Sequence, residues 1–327
     1  MRAAAVGGAG LLLLGLAGLL ALGSGPLDAG PGAIWSALVG TGTPDAELAL
    51  ALRGPRLLTA LLTGAALGGA GAALQLLFRN PLVAPDLLGV SAGAGLGAAT
   101  ALLAGAGPVL VQLGAFGGGL GAVGLALGCA ALVRGGDRRL TLVLCGIVTG
   151  ALMSAGLALT LVLADPYSEL PAITFWLLGS FGRAELGEAL GAGAIVAAGL
   201  LVLFRLGFRL DALSLGDDQA RSLGLRVGTI RALAIGAATL ATSAAVAVSG
   251  VVGWIGLLGP HAARLLVGAR SGRLLPAACL LGALFALGID ALSTAFGPAE
   301  VPVGLLSAAV GAPGFLLLFV LSSRRAL

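Results

Sequence analysis

Charged side chains are scarce in this sequence: they make up 10% of its 327 residues, whereas 58% of the residues are hydrophobic. An ordinary soluble domain has about 25% charged residues, so this chain has too few to cover a water-exposed surface. Apolar runs of about 17 to 25 residues recur from end to end, which is the length that a helix needs to cross about 30 Å of hydrocarbon. The sequence therefore predicts an all-α polytopic membrane protein.

Lysine is absent, because all 18 basic residues are arginine. A P-loop binds nucleotide phosphates through its lysine, so this chain cannot contain one. We predict that the chain is not an enzyme. Any ATP that drives its function must be hydrolysed by a separate ATPase chain.

Residues that bind metals are also few. The chain has one histidine, His261, and three cysteines that lie inside apolar runs without C-x-x-C spacing. Metal sites and redox motifs depend on closely spaced ligands, so we predict no catalytic residue, no metal site and no cofactor. No basic helix is interleaved with aromatic residues, so nucleic acid is not an expected partner. An excess of arginine in cytoplasmic loops accounts better for the net charge of +4.

Ten apolar runs are candidate membrane helices. They cover residues 3–23, 57–78, 88–106, 109–133, 140–164, 190–206, 230–250, 254–268, 275–296 and 303–322. The first resembles a signal peptide, but it heads a chain of similar runs, and we interpret it as an uncleaved helix. The eighth is short and contains Pro260 and His261, so we expect a broken helix that does not reach both faces.

Glycine is abundant, with 57 residues. Small residues four apart let membrane helices approach closely. We therefore interpret the following pairs as helix-packing positions: Gly64 and Gly68, Gly93 and Gly97, Gly117 and Gly121, and Gly124 and Gly128.

The arginines predict the orientation of the chain. With ten crossings and a cytoplasmic amino terminus, 15 arginines fall inside and only Arg53, Arg56 and Arg183 fall outside. This bias is typical of cytoplasmic loops. We predict one transmembrane domain, 1–327, in the bacterial cytoplasmic (inner) membrane, with both termini in the cytoplasm.

Two polar segments interrupt the apolar runs. The outer one contains a short apolar stretch bracketed by acids, which predicts a helix at about 168–181 near the outer surface. The inner one, 207–231, is amphipathic and cytoplasmic. Within it we expect a helix that Ser214 or Asp217 caps and that Gly224 ends.

Asp290 and His261 keep a gradient-driven secondary carrier open as an alternative function, since such carriers place ionisable groups at mid-membrane. In the other interpretation, Asp290 is paired or hydrated near the outer end of its helix and His261 caps a broken helix. A membrane scaffold or receptor is a third alternative. An importer subunit would co-purify with an ATPase, which separates it from both.

Four stretches of the sequence resemble the FecCD-type permeases, which import iron siderophores, haem and vitamin B12. These stretches are LRGPRLLTALLTGAALGGAGAALQLLFRNPLVAPDLLGVSAGAG (52–95), LSLGDDQARSLGL (213–225), GVVGWIGLLGPHAARLLVG (250–268) and PAEVPVGLLSAAVGAP (298–313). The likeness extends in order over nearly the whole chain. It implies the type II ATP-binding-cassette (ABC) importer architecture: a homodimer of ten-helix subunits, two cytoplasmic ATPase subunits and a periplasmic or lipid-anchored substrate-binding protein.

The resemblance also implies roles for particular residues. Binding-protein docking would fall to Arg53 and Arg56, whose alternative role is pairing with the chain's own outer acids. The cytoplasmic gate would include Asn80, Pro81, Leu82, Arg139 and Leu140. Contact with the ATPase would involve Leu213, Ser214, Leu215, Gly216, Ala220, Arg221 and Gly224, with Gly216 and Ala220 at a tight contact.

The expected substrate is a metal chelate, in the first place a ferric siderophore. A corrinoid, haem or a molybdate-type oxyanion is the alternative within the family. Vitamin B12 permeases have small hydroxyl residues where this chain has Arg138, Arg139 and Leu140, and a docking arginine where it has Ser293. These differences argue against vitamin B12.

Overall fold

The computed structural model describes residues 2–23, 30–133, 135, 137–295 and 300–324. Within them the chain forms fourteen α-helices and one short 3-10 helix, Pro85–Leu88. The α-helices are α1 (Arg2–Gly23), α2 (Pro31–Leu38), α3 (Pro44–Phe78), α4 (Val90–Leu103), α5 (Pro108–Leu132), α6 (Arg138–Leu163), α7 (Glu169–Leu178), α8 (Leu186–Arg205), α9 (Gly207–Leu215), α10 (Asp217–Ser222), α11 (Val227–Ser249), α12 (Ile255–Val267), α13 (Ser271–Ala295) and α14 (Val303–Arg324).

Each of the ten predicted runs forms a helix, which confirms the all-α polytopic membrane class. Among the described residues, seven helices are long and apolar enough to cross a membrane: α3, α5, α6, α8, α11, α13 and α14. The other three runs form α1, α4 and α12. The helices α3 and α11 are the most buried of the seven, whereas α6 and α14 are the most exposed. The core of the subunit is therefore built around α3 and α11.

Glycine allows the closest helix contacts, as two of the four predicted pairs show. A Cβ atom added to Gly64 or Gly68 of α3 would overlap carbonyl oxygens of α13, and one added to Gly93 or Gly97 would overlap carbonyl oxygens of α5. The two pairs within α5 make no such contact within the single chain, so their packing role stays a prediction. Their glycines face open space in this chain, and Gly114 and Gly118 make the contact with α4 instead. A four-residue spacing alone does not say which face of a helix is covered.

The eighth run is a short helix, as its length predicted. The 13 residues of α12 span about 20 Å. The segment 250–254 precedes it without helical structure, and Gln75 of α3 donates a hydrogen bond to the Gly256 carbonyl at 3.5 Å. His261 lies inside α12 and packs its ring against Phe315 and Phe319 of α14. The expectation that His261 caps a broken helix was therefore wrong, because the helix begins six residues earlier, at Ile255.

The second run begins earlier than its hydropathy predicted. Helix α3 starts at Pro44, where the Thr43 side chain caps it, and runs for 35 residues with Pro55 inside. Arg53 and Arg56 are therefore residues of the first half of α3 and not of a loop before it. The short helix α2 precedes α3 and was not predicted.

Candidate coupling and gating site

The polar inner segment folds as two helices and not as one. Leu213 and Leu215 belong to α9, Gly216 forms the joint, and α10 contains only six residues. Gly216 has φ 144°, a backbone conformation that favours glycine. Gly224 lies beyond the end of α10 with φ 77°, as expected of the residue that ends a helix.

The predicted caps of this helix were wrong. The N-cap of α10 is Gly216, and no side chain bonds there. Ser214 donates its hydroxyl to the Asp211 carbonyl at 2.6 Å, so it serves α9 instead. Asp217 is the first residue of α10, and its carboxylate faces away from the helix backbone towards two arginines.

Asp217 joins α10 to the beginnings of two membrane helices. Arg139, near the start of α6, donates from Nη2 to Asp217 Oδ1 at 2.5 Å. Arg231, in the second turn of α11, donates from Nη2 to Oδ2 at 3.0 Å and to Oδ1 at 3.2 Å. The side chains of Arg139, Asp217 and Arg231 are 17%, 25% and 10% exposed. We call these three residues the Asp217 cluster.

The cluster keeps its carboxylate ionised. Partial burial raises the pKa of Asp217, but the hydrogen bonds and positive charges of Arg139 and Arg231 outweigh burial and hold that pKa below its usual value. The carboxylate therefore stays charged throughout the physiological range, and both ion pairs persist there.

Two more contacts attach this segment to membrane helices. Asp211 of α9 accepts a hydrogen bond from the backbone N–H of Ser271, the first residue of α13, at 2.8 Å. Arg79, which ends α3, approaches Gly216: its Nη2 lies 3.8 Å from the position of a Cβ atom built there. Segment 207–231 is thus connected to the end of α3 and to the starts of α6, α11 and α13.

The predicted gate residues lie at two of these ends. Asn80, Pro81 and Leu82 form an exposed turn after α3, in which Asn80 Oδ1 accepts a hydrogen bond from the Leu82 N–H at 2.9 Å. Leu140 is 59% exposed on α6, next to Arg139. The structure therefore places both gate elements beside the same segment: Arg139 is bonded to it through Asp217, and Arg79 lies close to Gly216.

The residues predicted to touch the ATPase separate into buried and exposed sets. Leu213 and Ala220 are buried in the chain's own core, at 1% and 0% exposure. Gly216 is also buried, and a Cβ atom there would collide with the side chain of Gln219. The expectation of a tight contact between these small residues and a partner was therefore wrong, because their close neighbours belong to this chain.

The exposed set is the surface that a partner can reach. Leu215 is 66% exposed and Leu223 58% exposed, on either side of α10. Between them Arg221 pairs with Asp218 at 2.9 Å, with both side chains in water.

On the predicted outer side, Arg56 pairs with carboxylates of its own chain. Its Nε donates to Asp290 Oδ1 at 2.7 Å, and its Nη1 donates to Glu300 Oε1 at 2.5 Å. Asp290 is 8% exposed and Glu300 48%. This is the alternative role that the sequence left open for the outer arginines. Arg53 lies one turn earlier on α3 and is half-buried.

The pairing of Asp290 bears on the secondary-carrier alternative. Asp290 bonds to Arg56, whereas His261 packs among the rings of α14, so the two have different partners. The structure therefore gives Asp290 the structural role of the second interpretation, as the buried half of an ion pair.

The outer segment contains the helix that was predicted at about 168–181, as α7, Glu169–Leu178. Its Ile173 and Trp176 are buried, and Phe175 is exposed. Arg183, the third outer arginine, donates from Nη2 to the Phe175 carbonyl at 2.9 Å. This contact ties the end of α7 to the start of α8.

The sequence profile of the FecCD transport family matches residues 12–321. The chain belongs to this family. Family membership covers all the elements of the coupling and gating site, from Arg79 to Ser271.

Known proteins of this kind are similar over most of their length. The chain is 36% identical to the Fe(3+)-citrate import system permease protein YfmE of Bacillus subtilis, over 94% of this chain and 92% of the relative. It is 35% identical to the molybdate import system permease protein MolB of Haemophilus influenzae, over 81% and 78%. A solved metal-chelate type ABC transporter in an inward-facing conformation superposes with a TM-score of 0.87 at 32% identity, covering 97% of this chain and 99% of that one.

Two residues of the site, Arg231 and Asp211, were not predicted from the sequence. Arg231 looked like one of many inner arginines, and Asp211 like an ordinary acid of a polar loop. A useful signal was present for Arg231: it lies within the apolar run 230–250, where a charge needs a partner. No comparable signal singled out Asp211.

Proposed function

We propose that this chain is the membrane-spanning subunit of an ABC importer for metal chelates, and that its substrate is a ferric siderophore. It works as a homodimer with two ATPase subunits on the cytoplasmic side and a substrate-binding protein on the outer side. The observation that carries the proposal is the attachment of segment 207–231 to the inner ends of four membrane helices. A segment connected in this way can pass a movement of a bound ATPase to the gate.

The chemistry of the segment supports this role. Its exposed leucines, Leu215 and Leu223, offer apolar area to a partner, while the Asp217 cluster faces the membrane domain. The ion pairs of this cluster are directional and short, so a displacement of α10 pulls on the start of α6. The gate residues Arg139 and Leu140 lie at that start. The turn formed by Asn80, Pro81 and Leu82 moves with the segment through Arg79, the residue before it.

Docking of the binding protein on the outer face remains a prediction for Arg53 and Arg56. The two acids that hold Arg56 imply that docking through this residue proceeds by exchange, in which a carboxylate of the binding protein replaces Glu300. Glu300 is the suitable one to leave, because it is half-exposed while Asp290 is buried. Arg53 then makes the first contact.

The substrate is the part of the proposal that rests on the relatives. They include importers of ferric citrate and of molybdate, so the family accommodates both chelates and oxyanions. Uptake in cells with and without this chain, measured for a ferric siderophore, haem, vitamin B12 and molybdate, distinguishes these cargoes. We expect the ferric siderophore to depend on the chain.

The coupling role is tested by comparing Asp217→Asn with Asp218→Asn. Both changes remove one negative charge from the first turn of α10, but only the first breaks the contacts to α6 and α11. In Asp217→Asn we expect the ATPase to bind and hydrolyse ATP while ferric siderophore uptake falls at least several-fold. Asp218→Asn should transport at the parental rate.

Three results separate the alternatives. Equal uptake in both variants would show that the Asp217 cluster does not transmit movement. Loss of ATPase binding in both variants would assign the acids to the partner contact instead. Undiminished uptake after removal of every ATPase partner would contradict the importer proposal as a whole and would favour a gradient-driven carrier.

A further inference from the structure

A cavity of about 500 Å³ lies beside the Asp217 cluster, between the start of α6, α10 and the start of α11. Four arginines line it: Arg138, Arg221, Arg226 and Arg231. Asp217 is the one carboxylate among the residues of its wall. The cavity is therefore strongly positive. It shares Asp217, Arg221 and Arg231 with the coupling site, but the coupling and gating roles do not account for Arg138 and Arg226.

Its positive charges are not balanced within the described part of the chain. Asp217 is shared between Arg139 and Arg231, and Arg221 is paired with Asp218. Arg138 and Arg226 have no carboxylate within ion-pair distance among the described residues. Like charges that line one cavity repel each other, and an anion between them offsets the repulsion.

The backbone offers further donors to the same space. Val227, Gly228 and Thr229, the first turn of α11, line the cavity, and no side chain caps this 23-residue helix. The first N–H groups of a helix lack partners within the helix and attract anions. Gly228 has open space where a side chain would stand.

One buried side chain also forms part of the wall. The Arg231 side chain lines the cavity and is 10% exposed. Its Nη2 bonds to Asp217, but its buried Nε has no hydrogen-bond partner in the described structure. An oxygen-rich anion in this cavity would balance its positive charges and accept hydrogen bonds from the N–H groups at the start of α11.

We propose that this cavity binds a phosphate group. The arginines and the helix amides match the geometry of a phosphate with several oxygens. Because α6 and α11 both begin here as membrane-spanning helices, the cavity lies at the level of lipid headgroups, where basic pockets receive anionic phospholipids. An anionic phospholipid and free inorganic phosphate share this chemistry, and the experiment separates them.

The test uses the purified full chain in nanodiscs, with thermal unfolding as the measurement. One arm replaces part of the phosphatidylcholine by phosphatidylglycerol, and the other adds inorganic phosphate to pure phosphatidylcholine discs at constant ionic strength. The variant Arg138→Gln/Arg226→Gln removes the two unpaired arginines. The matched control, Arg209→Gln/Arg273→Gln, removes two exposed arginines of α9 and α13 that do not line the cavity.

We expect the wild-type unfolding temperature to rise with the ligand, and the first double variant to lose most of that rise while the control keeps it. Without ligand the first variant should be no less stable than wild type, because a repulsion has been removed. A rise with phosphatidylglycerol alone identifies a lipid headgroup as the ligand, and a rise with inorganic phosphate identifies a free anion. Absence of a rise in both arms, or the same rise in both double variants, overturns the proposal.

Discussion

Arg56 is held by two carboxylates whose exposures differ sixfold, and this difference predicts unequal effects of mutation. Asp290 is 8% exposed, so Arg56→Gln leaves a buried carboxylate without its cation. Breaking a buried ion pair in this way costs on the order of 3 kcal/mol of unfolding free energy. Glu300 is 48% exposed, and Glu300→Gln should cost less than about 1 kcal/mol.

Unfolding of the purified chain in mild detergent, followed by tryptophan fluorescence, measures both variants. Equal stability of the Arg56→Gln and wild-type proteins would show that the pair with Asp290 adds nothing to the fold. The outcome also decides how docking is tested. Because charge reversal at Arg56 would disturb the fold, Arg53→Glu alone is the cleaner variant for measuring binding-protein affinity.

The pKa of Asp217 predicts how the stability of the inner segment depends on pH. The two arginines hold this pKa below its usual value, so the folded state binds a proton less readily than the unfolded state does. The stabilisation is then complete above the ordinary aspartate pKa of about 3.9 and is lost as the pH falls through the lower, folded-state value. Wild type should exceed Asp217→Asn in stability by a constant amount between about pH 5 and 8, and the difference should shrink below about pH 4.

Hydrogen exchange of the α10 amides in the two proteins across this range measures the difference. Asp218→Asn serves as the control, since its exposed pair with Arg221 should give little or no protection. A difference that vanishes between about pH 5 and 7 would mean that the Asp217 pKa is raised and not lowered.

Helix α10 presents a surface that can be altered without disturbing the core. Leu215 and Leu223 flank it and are largely exposed, whereas Ala220 faces inwards. We expect Leu215→Asp/Leu223→Asp to leave the unfolding temperature unchanged and to abolish capture of the ATPase in a pull-down. Ala220→Glu is the contrasting variant, because it places a charge in the core and should lower the amount of folded protein.

Retention of the ATPase by the Leu215→Asp/Leu223→Asp protein, at normal expression, would move the partner contact away from α10. Loss of folded protein in this variant would show that Leu215 and Leu223 contribute to the fold of the subunit itself. The pull-down and the expression level therefore have to be read together.

The elements that the sequence predicted well are those set by local composition. Apolar length alone predicted the runs that form ten of the helices, and the short eighth run was recognised from its length and Pro260. The joint at Gly216 was missed because φ is not visible in a pattern of leucines and acids, and the residues on either side favour a helix. The start of α3 was missed because Asp45, Glu47, Arg53 and Arg56 lower its hydropathy while the helix continues beyond the apolar run.

The candidate site was predicted only in part, because local composition reports its separate elements and not the contacts between them. Arg139 and the 207–231 segment were found separately, by resemblance and by amphipathic pattern. Their connection through Asp217 joins residues 78 positions apart in the sequence, and no local pattern reports such a contact. Asp217 was recognised as polar and near a helix start, which suggested a cap, although its actual partners are side chains of two other helices.

The subunit as a whole separates a rigid centre from exposed flanks. Helices α3 and α11 are buried, and their glycine and alanine contacts hold α13 and α8 against them. The faces of α6 and α14 remain largely uncovered in the single chain. Since Arg139 lies in the first turn of α6, one of the two least buried membrane helices is attached to the coupling segment.

The absence of lysine predicts that another chain of the assembly hydrolyses the ATP, and this prediction can be tested. The purified chain should hydrolyse no ATP, because a P-loop needs a lysine and this sequence has none. Addition of the ATPase that co-purifies with it should produce hydrolysis, and the loaded binding protein should increase that rate. An ATPase variant lacking its own P-loop lysine is the control, and it should bind the chain through α10 without hydrolysis. ATP turnover that persists with this inactive ATPase would place a nucleotide site on the present chain, against the argument from its composition.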